Sequence, residues 1–267
     1  MITTTALDKH PLVSIIIPTS NRFGFLKETV ASILAQTYSN FELIIVSDKS
    51  SDETSSIIDI IGDSRCHLYN LEVKSNGPSF VRNYGITKSS GGLVAFCDDD
   101  DLWVQDKLEK QVAVMVKNTD IALIATNVKY FGDVAQSFKY TAILKNLMNR
   151  IPFIPLKYLL AFYNCVVISS SMVRKEILND MKFKEEDEYQ GHEDLDLWLR
   201  ICATKKAFII PQYLTLYRVH PNQISTSLNK NYKKKSLDIL RKHTAGFNYI
   251  QRFIANFRIF TNRVTGY

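Results

Sequence analysis

Four consecutive carboxylates, Asp98, Asp99, Asp100 and Asp101, follow directly on the apolar run Leu93 to Phe96 within Gly91 to Leu108. Negative charges set so close repel strongly unless a cation or a cluster of donors offsets them. Along an extended chain Asp98 and Asp100 share a side, so two hard oxygen ligands can hold one divalent ion and leave positions open for a phosphate-bearing substrate. The plainer alternative is a solvated turn capping the helical stripe Leu108, Val112, Met115 and Val116. A second acidic pair, Glu193 and Asp194, opens the helical pattern Leu195, Leu197, Trp198, Leu199 and Ile201. Such a pair can accept a proton or simply complement the helix dipole. Arg82 stands in the first turns of a helix beginning after Pro78, where both the guanidinium and the helix N-terminus favour anions, although an ordinary surface Arg fits the same place.

The elements that must position these groups read as alternating strands and helices. Val13 to Ile17 is a β-branched run stopped by Pro18, and Leu26, Val30, Ile33 and Leu34 follow at helical spacing. Phe41 to Val46 predicts a second strand ending at Ser47-Asp48, and Ser50 with Glu53 predicts a capping box that opens a helix through Ile61. Leu68 to Val73 reads as a third strand, Asn76-Gly77-Pro78 as a turn, and Phe80 to Thr87 as a helix leading into the acidic strand. This alternation implies a doubly wound parallel sheet that binds ligands beyond the carboxyl ends of its strands, where Thr19, Asp48 and the Asp98 to Asp101 run fall. Neither GxGxxG nor GxxxxGK[ST] occurs, which excludes a dinucleotide dehydrogenase and a P-loop NTPase.

Composition narrows the class further. The 267 residues, 46% of them hydrophobic, suit one large domain or one domain with an appendage. The longest apolar neighbourhood, Leu156 to Val173, is broken by Lys157, Asn164 and three serines, and MITTTALDKH lacks an apolar signal core, so the expectation is a cytoplasmic protein without a membrane span. Cys66, Cys97, Cys165 and Cys202 stand singly, as reduced packing residues do. The net charge of +6 sits in the tail: from Thr226 to Tyr267 nine Lys or Arg face one Asp, which leaves the remainder of the chain acidic. That argues against nucleic acid as a partner of the body and for an anionic partner at the C-terminus.

The segments VSIIIPTSNR, LAQTYSNFELIIVSDKSSDET, GPSFVRNYGI, FCDDDDLW, HEDLDLWLR and YRVHPNQIS follow one another between Val13 and Ser225. In their order and spacing the chain resembles the family-2 glycosyltransferases, inverting enzymes of GT-A fold that use a nucleotide-linked sugar. The resemblance implies an α/β GT-A architecture: a Rossmann-like, doubly wound, mostly parallel sheet with a C-terminal helical extension. The domain would span 11–225, with 11–130 binding the nucleotide sugar and 131–225 the acceptor, and 226–267 would form a basic amphipathic tail. Asp98 and Asp100 become the DxD pair that holds Mn2+ or Mg2+, with His220 of the YRxH segment reaching the diphosphate or the metal. Pro18, Thr19, Ser20, Arg22, Asp48, Arg82, Asp98, Asp99 and Arg218 become contacts of the nucleotide sugar, a UDP-sugar being favoured. Asp194 becomes the base that deprotonates the acceptor, with Glu193 as its alternate or orienting neighbour. Ser47 departs from the second carboxylate common in the family at the end of strand two, and Ser20 from a frequent aromatic.

The expected activity is therefore metal-dependent, inverting transfer of a sugar to a surface polysaccharide or lipid-linked oligosaccharide. Aromatic residues between Lys129 and Ser171, among them Tyr130, Phe138, Tyr158 and Tyr163, would face the acceptor or pack the core. The tail, with Phe247, Ile250, Phe253, Ile254, Phe257 and Phe260 on one helical side, suits an anionic membrane surface at the inner face of the plasma membrane, its own domain, or a second subunit of a homodimer. Two other classes remain open. A nucleotidyltransferase would call for a Gly- and Arg-rich phosphate loop near strand one, and a non-catalytic carbohydrate-binding scaffold would not need both acidic motifs.

Overall fold

The computed structural model describes residues 8–133, 156, 160, 164–221, 223 and 230–244. The β-branched run folds as β1 (Val13–Thr19), followed by α1 (Phe23–Leu34), β2 (Phe41–Ser47), α2 (Ile57–Ile61), β3 (Cys66–Asn70), α3 (Pro78–Lys88) and β4 (Leu93–Phe96). The short β5 (Leu102–Trp103) and α4 (Lys107–Lys117) lead to the long β6 (Ile121–Gly132). β7 (Met172–Arg174), α5 (Lys175–Asp180), α6 (Glu193–Thr204), β8 (Lys206–Val219) and α7 (Lys230–Thr244) complete the described elements.

The strands form one eight-stranded sheet in the order β3-β2-β1-β4-β7-β6-β8-β5. β3, β2, β1 and β4 run parallel, β7 pairs antiparallel with both β4 and β6, β8 runs parallel to β6, and β5 closes the edge antiparallel to β8. Alternation along β1 sends Ile15 and Ile17 into one core and Ile16 into the other, so both faces of the sheet are covered and the strand must be apolar throughout. α3 lies close against β1 because Gly85 faces Ile16; a Cβ there would stand 2.6 Å from Ile16 Cγ2. The four cysteines are buried and none is in a disulfide.

Several expectations change in the structure. β3 lies at Cys66–Asn70, ahead of the predicted Leu68 to Val73: Gly62 ends α2 in the left-handed region, Cys66 pairs with Leu43, and after Asn70 the chain leaves the sheet to bring Lys74 and Ser75 to Asp48. A 3-10 turn (Glu53–Ser56) precedes α2, and its cap is Asp52, whose Oδ1 accepts the Thr54 N–H at 3.1 Å; Ser56, before α2 itself, makes no side-chain cap bond. Ser50 instead pairs its hydroxyl with Ser47 at 3.0 Å and accepts the Asn21 N–H. The four aspartates form a tight turn, closed by the Asp101 N–H on the Asp98 carbonyl at 3.3 Å, and are not a continuation of the strand. Tyr217 and Arg218 lie in β8, with His220 just beyond its end.

The described start of the tail is part of the fold. α7 places Ile239 and Leu240 in the same core as Trp198 of α6, and His243 Nε2 lies 2.8 Å from Asp196 Oδ1. Phe247 to Phe260, and Phe138, Tyr140, Phe153, Tyr158, Phe162 and Tyr163 of the acceptor half, lie outside the described residues. Among the described residues no helix is long and apolar enough to cross a membrane.

Candidate active site

A cleft of about 780 Å³ opens at the carboxyl ends of β1, β2 and β4. Pro18, Thr19 and Ser20 line it from β1, Asp48 from β2, Arg82 from α3, and Asp98, Asp99 and Asp100 from the turn after β4. Arg22, at the entry of α1, and Glu193 and Asp194, at the start of α6, close the ring. Residues from five separate segments of the family resemblance are thus gathered by the fold around one space.

Buried hydrogen bonds hold the acidic turn. The Asp98 N–H donates to Ser169 Oγ at 3.0 Å, Thr29 Oγ1 to the Asp99 carbonyl at 2.9 Å, and Trp103 Nε1 to the Ser169 carbonyl at 2.8 Å. Arg22 Nη1 spans Asp99 Oδ1 (3.1 Å) and Asp100 Oδ2 (3.0 Å). Arg82, only 4% exposed, joins the two acidic motifs: Nη2 lies 2.7 Å from Asp98 Oδ1 and Nη1 2.8 Å from Glu193 Oε1. Burial alone would lower the Arg82 pKa, but Asp98 and Glu193 outweigh it and the guanidinium is held charged.

Carboxyl groups outnumber the guanidinium groups among them, and burial, reinforced by their mutual repulsion, raises the pKa of several. Burial raises Asp99 to about 7 even though Arg22 opposes the shift. Burial, reinforced by the Asp98 charge, raises Asp100, and burial with the Asp100 charge raises Asp101. Asp194 is raised to about 7 by burial and then by the neighbouring Glu193 charge.

Two sequence-derived contacts lie behind the acidic turn and do not line the cleft. Arg218 donates its backbone N–H to Asp101 Oδ1 (2.9 Å), Nε to the Asp100 carbonyl (2.8 Å) and Nη2 to Glu28 (2.7 Å), with its guanidinium against the rings of Phe25 and Phe131. His220 is buried, its Nε2 3.0 Å from Asp100 Oδ2 and its N–H on Gln223 Oε1. Both brace the carboxylates from the rear.

Other residues also line the cleft; Tyr217 and Gln223 belong to the YRVHPNQIS segment and Tyr130 to the acceptor-side aromatics, whereas Lys74, Ser75 and Asn164 stand in no segment of the resemblance. Lys74 Nζ bonds Ser20 Oγ (2.6 Å), the Asp48 carbonyl (3.0 Å) and Asp48 Oδ2 (3.0 Å), while the Ser75 N–H donates to Asp48 Oδ1 at 2.7 Å. Tyr130 and Tyr217 meet edge to face with centroids 5.4 Å apart, and Gln223 Nε2 donates to the Tyr217 hydroxyl. Asn164 donates from Nδ2 to Asp194 Oδ2 at 2.9 Å. Its one trace in the sequence was a polar residue interrupting an apolar stretch.

The donor set suits a small hard cation. Among the described residues no three His, Cys, Asp or Glu side chains converge as a closed cage. Asp98 and Asp100 offer what Mg2+ or Mn2+ commonly takes from a protein, one or two carboxylates completed by substrate phosphates, and the excess negative charge at the turn favours such an ion.

Comparison with known proteins shows the family and the fold. The family described as Glycosyl transferase family 2 matches residues 14–181. The UDP-Glc:alpha-D-GlcNAc-diphosphoundecaprenol beta-1,3-glucosyltransferase WfgD of Escherichia coli is 31% identical over 231 residues, covering 84% of this chain and 83% of its own. The putative teichuronic acid biosynthesis glycosyltransferase TuaG of Bacillus subtilis is 31% identical over 238 residues, covering 84% and 85%. Among solved structures, S. aureus TarS in complex with UDP-GlcNAc superposes with a TM-score of 0.72 at 19% identity, over 94% of this chain and 72% of that one. The mannosyltransferase PcManGT from Pyrobaculum calidifontis, in complex with GDP-Man and Mn2+, gives 0.65 at 17% identity, over 90% and 65%. The two structural likenesses establish the GT-A fold. The family match over more than half of the chain, with the 31% identical relatives, shows that the chain belongs to glycosyl transferase family 2 and is a glycosyltransferase.

Proposed function

We propose that the enzyme transfers a sugar, with inversion and with the help of a divalent cation, from a nucleotide-diphosphate donor to a hydroxyl of a surface polysaccharide or lipid-linked oligosaccharide. The observation that carries this reading is Arg82, which ties the acidic turn to the Glu193-Asp194 pair across a single cleft. One end of the cleft is built for a diphosphate and the other for a proton acceptor.

In this reading Asp48, with Lys74 beside it, receives the base, and Pro18, Thr19, Ser20 and Arg22 shape the nucleotide end. A UDP-sugar is favoured: the E. coli relative is named for UDP-Glc and the S. aureus structure holds UDP-GlcNAc. Asp98 and Asp100 would hold Mn2+ or Mg2+, with His220 bracing Asp100 from behind. Such an ion neutralises the charge that grows on the leaving diphosphate. Arg82 adds a fixed positive charge at the same place and keeps Asp98 and Glu193 oriented, while Asp99 and Arg218 stabilise the turn. Asp194 takes the proton of the acceptor hydroxyl as its oxygen attacks the anomeric carbon. The bond from that carbon to the diphosphate oxygen breaks on the opposite face, and its electron pair leaves with the nucleoside diphosphate. The acceptor class is supported by the diphosphoundecaprenol and teichuronic acid named in the relatives. The net +8 of residues 226–267 would favour an anionic membrane surface carrying such an acceptor.

Thermal stabilisation by UDP-glucose, UDP-GlcNAc and GDP-mannose, each with and without Mn2+ or Mg2+, tests the donor end. One donor is expected to raise the melting temperature in a metal-dependent way, and Asp100→Ala to abolish the effect. A donor shift that is the same with chelator present would remove the cation from the mechanism. Transfer from UDP-glucose to a synthetic N-acetylglucosaminyl diphospholipid, with the product anomer read by NMR, then tests inversion and acceptor class.

A further inference from the structure

Asn164 and Asp194, thirty residues apart, share one wall of the cleft. Asn164 Nδ2 donates to Asp194 Oδ2 at 2.9 Å, and the Leu195 backbone N–H donates to Oδ1 at 2.6 Å. An ionised carboxylate only accepts hydrogen bonds, so the amide nitrogen is the end of Asn164 that must face it. That orientation turns Asn164 Oδ1 away from Asp194, and Oδ1 is buried without a partner among the described residues. A buried amide oxygen with no donor destabilises a fold unless something else supplies the donor.

We propose that Asn164 is a positioning residue for Asp194, and that its Oδ1 accepts a hydrogen bond from a second hydroxyl of the acceptor saccharide, next to the one that attacks. The proposal rests on the reading of Asp194 as the base. Nδ2 fixes one carboxylate oxygen and stabilises its charged form, leaving the remaining lone pairs for the incoming proton. Oδ1 fixes the acceptor ring through a hydroxyl that does not react. Asn164 neither gains nor loses a proton in the step: the proton passes from the attacking hydroxyl to Asp194, and the electron pair of the cleaved bond leaves on the diphosphate. The enzyme therefore selects acceptors with a free hydroxyl beside the one glycosylated, which a chain relying on Asp194 alone would not do.

Two substitutions separate the two halves of the proposal. Asn164→Ala removes both functional ends, whereas Asn164→Asp keeps the shape and an oxygen in place of Oδ1 but loses the donor. The titration of Asp194, followed by carbon-13 NMR in aspartate-labelled protein and assigned with Asp194→Asn, reads the positioning half. Glu193 and Arg82 act on the same carboxyl and are present in every variant. The Asp194 midpoint should rise in Asn164→Ala and rise further in Asn164→Asp, where a second carboxylate stands beside it. A wild-type midpoint in Asn164→Ala, which a packing role alone would give, overturns the positioning role; the further rise in Asn164→Asp reports only that the two groups are in contact. In the UDP-glucose and diphospholipid transfer assay, Asn164→Ala should raise the acceptor KM about tenfold, the loss of one hydrogen bond, with the donor KM unchanged. Asn164→Asp should keep the acceptor KM near wild type while kcat falls. An unchanged acceptor KM in Asn164→Ala overturns the acceptor contact. Wild-type kcat in Asp194→Asn would sink the base assignment itself, a result distinct from either readout on Asn164.

Discussion

Asp194 has the two properties that a base working near neutral pH needs: it lines the cleft, and burial beside the Glu193 charge brings its pKa to about 7. A base acts in its deprotonated form, so the sign is fixed. Transfer should be lost as pH falls through about 7 and be fully present above it. The kcat profile between roughly pH 5 and 8 should show this single acid limb, and Asp194→Asn should lower kcat by ~10²- to 10⁴-fold. A flat profile would place the proton elsewhere. The acidic residues that line the candidate cleft are legible in the amino-acid sequence, because a run of four aspartates and an acidic pair at a helix start are chemically conspicuous. The partners of those residues are not. Lys74, Ser169 and Asn164 carry no local pattern, and only contact across long sequence separations reveals what they bond. Arg218 shows the reverse: its place in the YRxH segment points to the diphosphate, while the fold turns its guanidinium to Glu28 and the Asp100 carbonyl.

At the scale of elements, the sheet is readable wherever an apolar run is long and buried on both faces, as in β1 and β2. Periodicity misleads where a turn replaces a strand. Alternation implies that Asp98 and Asp100 share a side, but Arg22, Arg82 and the buried Ser169 bend the chain into a turn, and it is the turn that presents both to the cleft. The next element carries a feature that no pattern suggests. Lys107, the first residue of α4, is fully buried, with Nζ 2.8 Å from Gln111 Oε1 and 3.6 Å from the centre of the Trp103 ring. Burial lowers its pKa from the ordinary 10.5 to about 7. In the window from about pH 7 to 10.5 the unfolded chain holds a proton that the folded chain lacks, so the contribution of this group to stability rises with pH across the window. Below it, both states are protonated and the dependence is flat. Urea midpoints at about pH 7.5 and 9.5 should therefore rise by more in the wild type than in Lys107→Met. Parallel midpoints in the two chains would mean that Lys107 stays charged in the fold.

For the molecule as a whole, α7 ties the described start of the basic C-terminal region to the helix that carries the Glu193-Asp194 pair. Ile239 and Leu240, 2% and 1% exposed, enter the core beside α6, the helix that carries Glu193 and Asp194. The His243 to Asp196 contact ties the two helices together one turn from the acidic pair. Leu240→Ala should therefore destabilise the whole domain by ~2–5 kcal/mol, whereas a tail merely appended to it would give a change within ~0.5 kcal/mol; denaturant unfolding distinguishes the two. The amino-acid sequence by itself determined the α/β class, the positions of most strands and helices, and the acidic and basic groups available for chemistry, because periodicity and charge are local properties of a chain. The ring of those groups around one cleft was decided by tertiary structure alone. So were the sheet order beyond β4, the bracing of the carboxylates by Arg218 and His220, the Asn164 to Asp194 bond and the docking of α7, since each depends on packing between segments whose separation in sequence carries no signal.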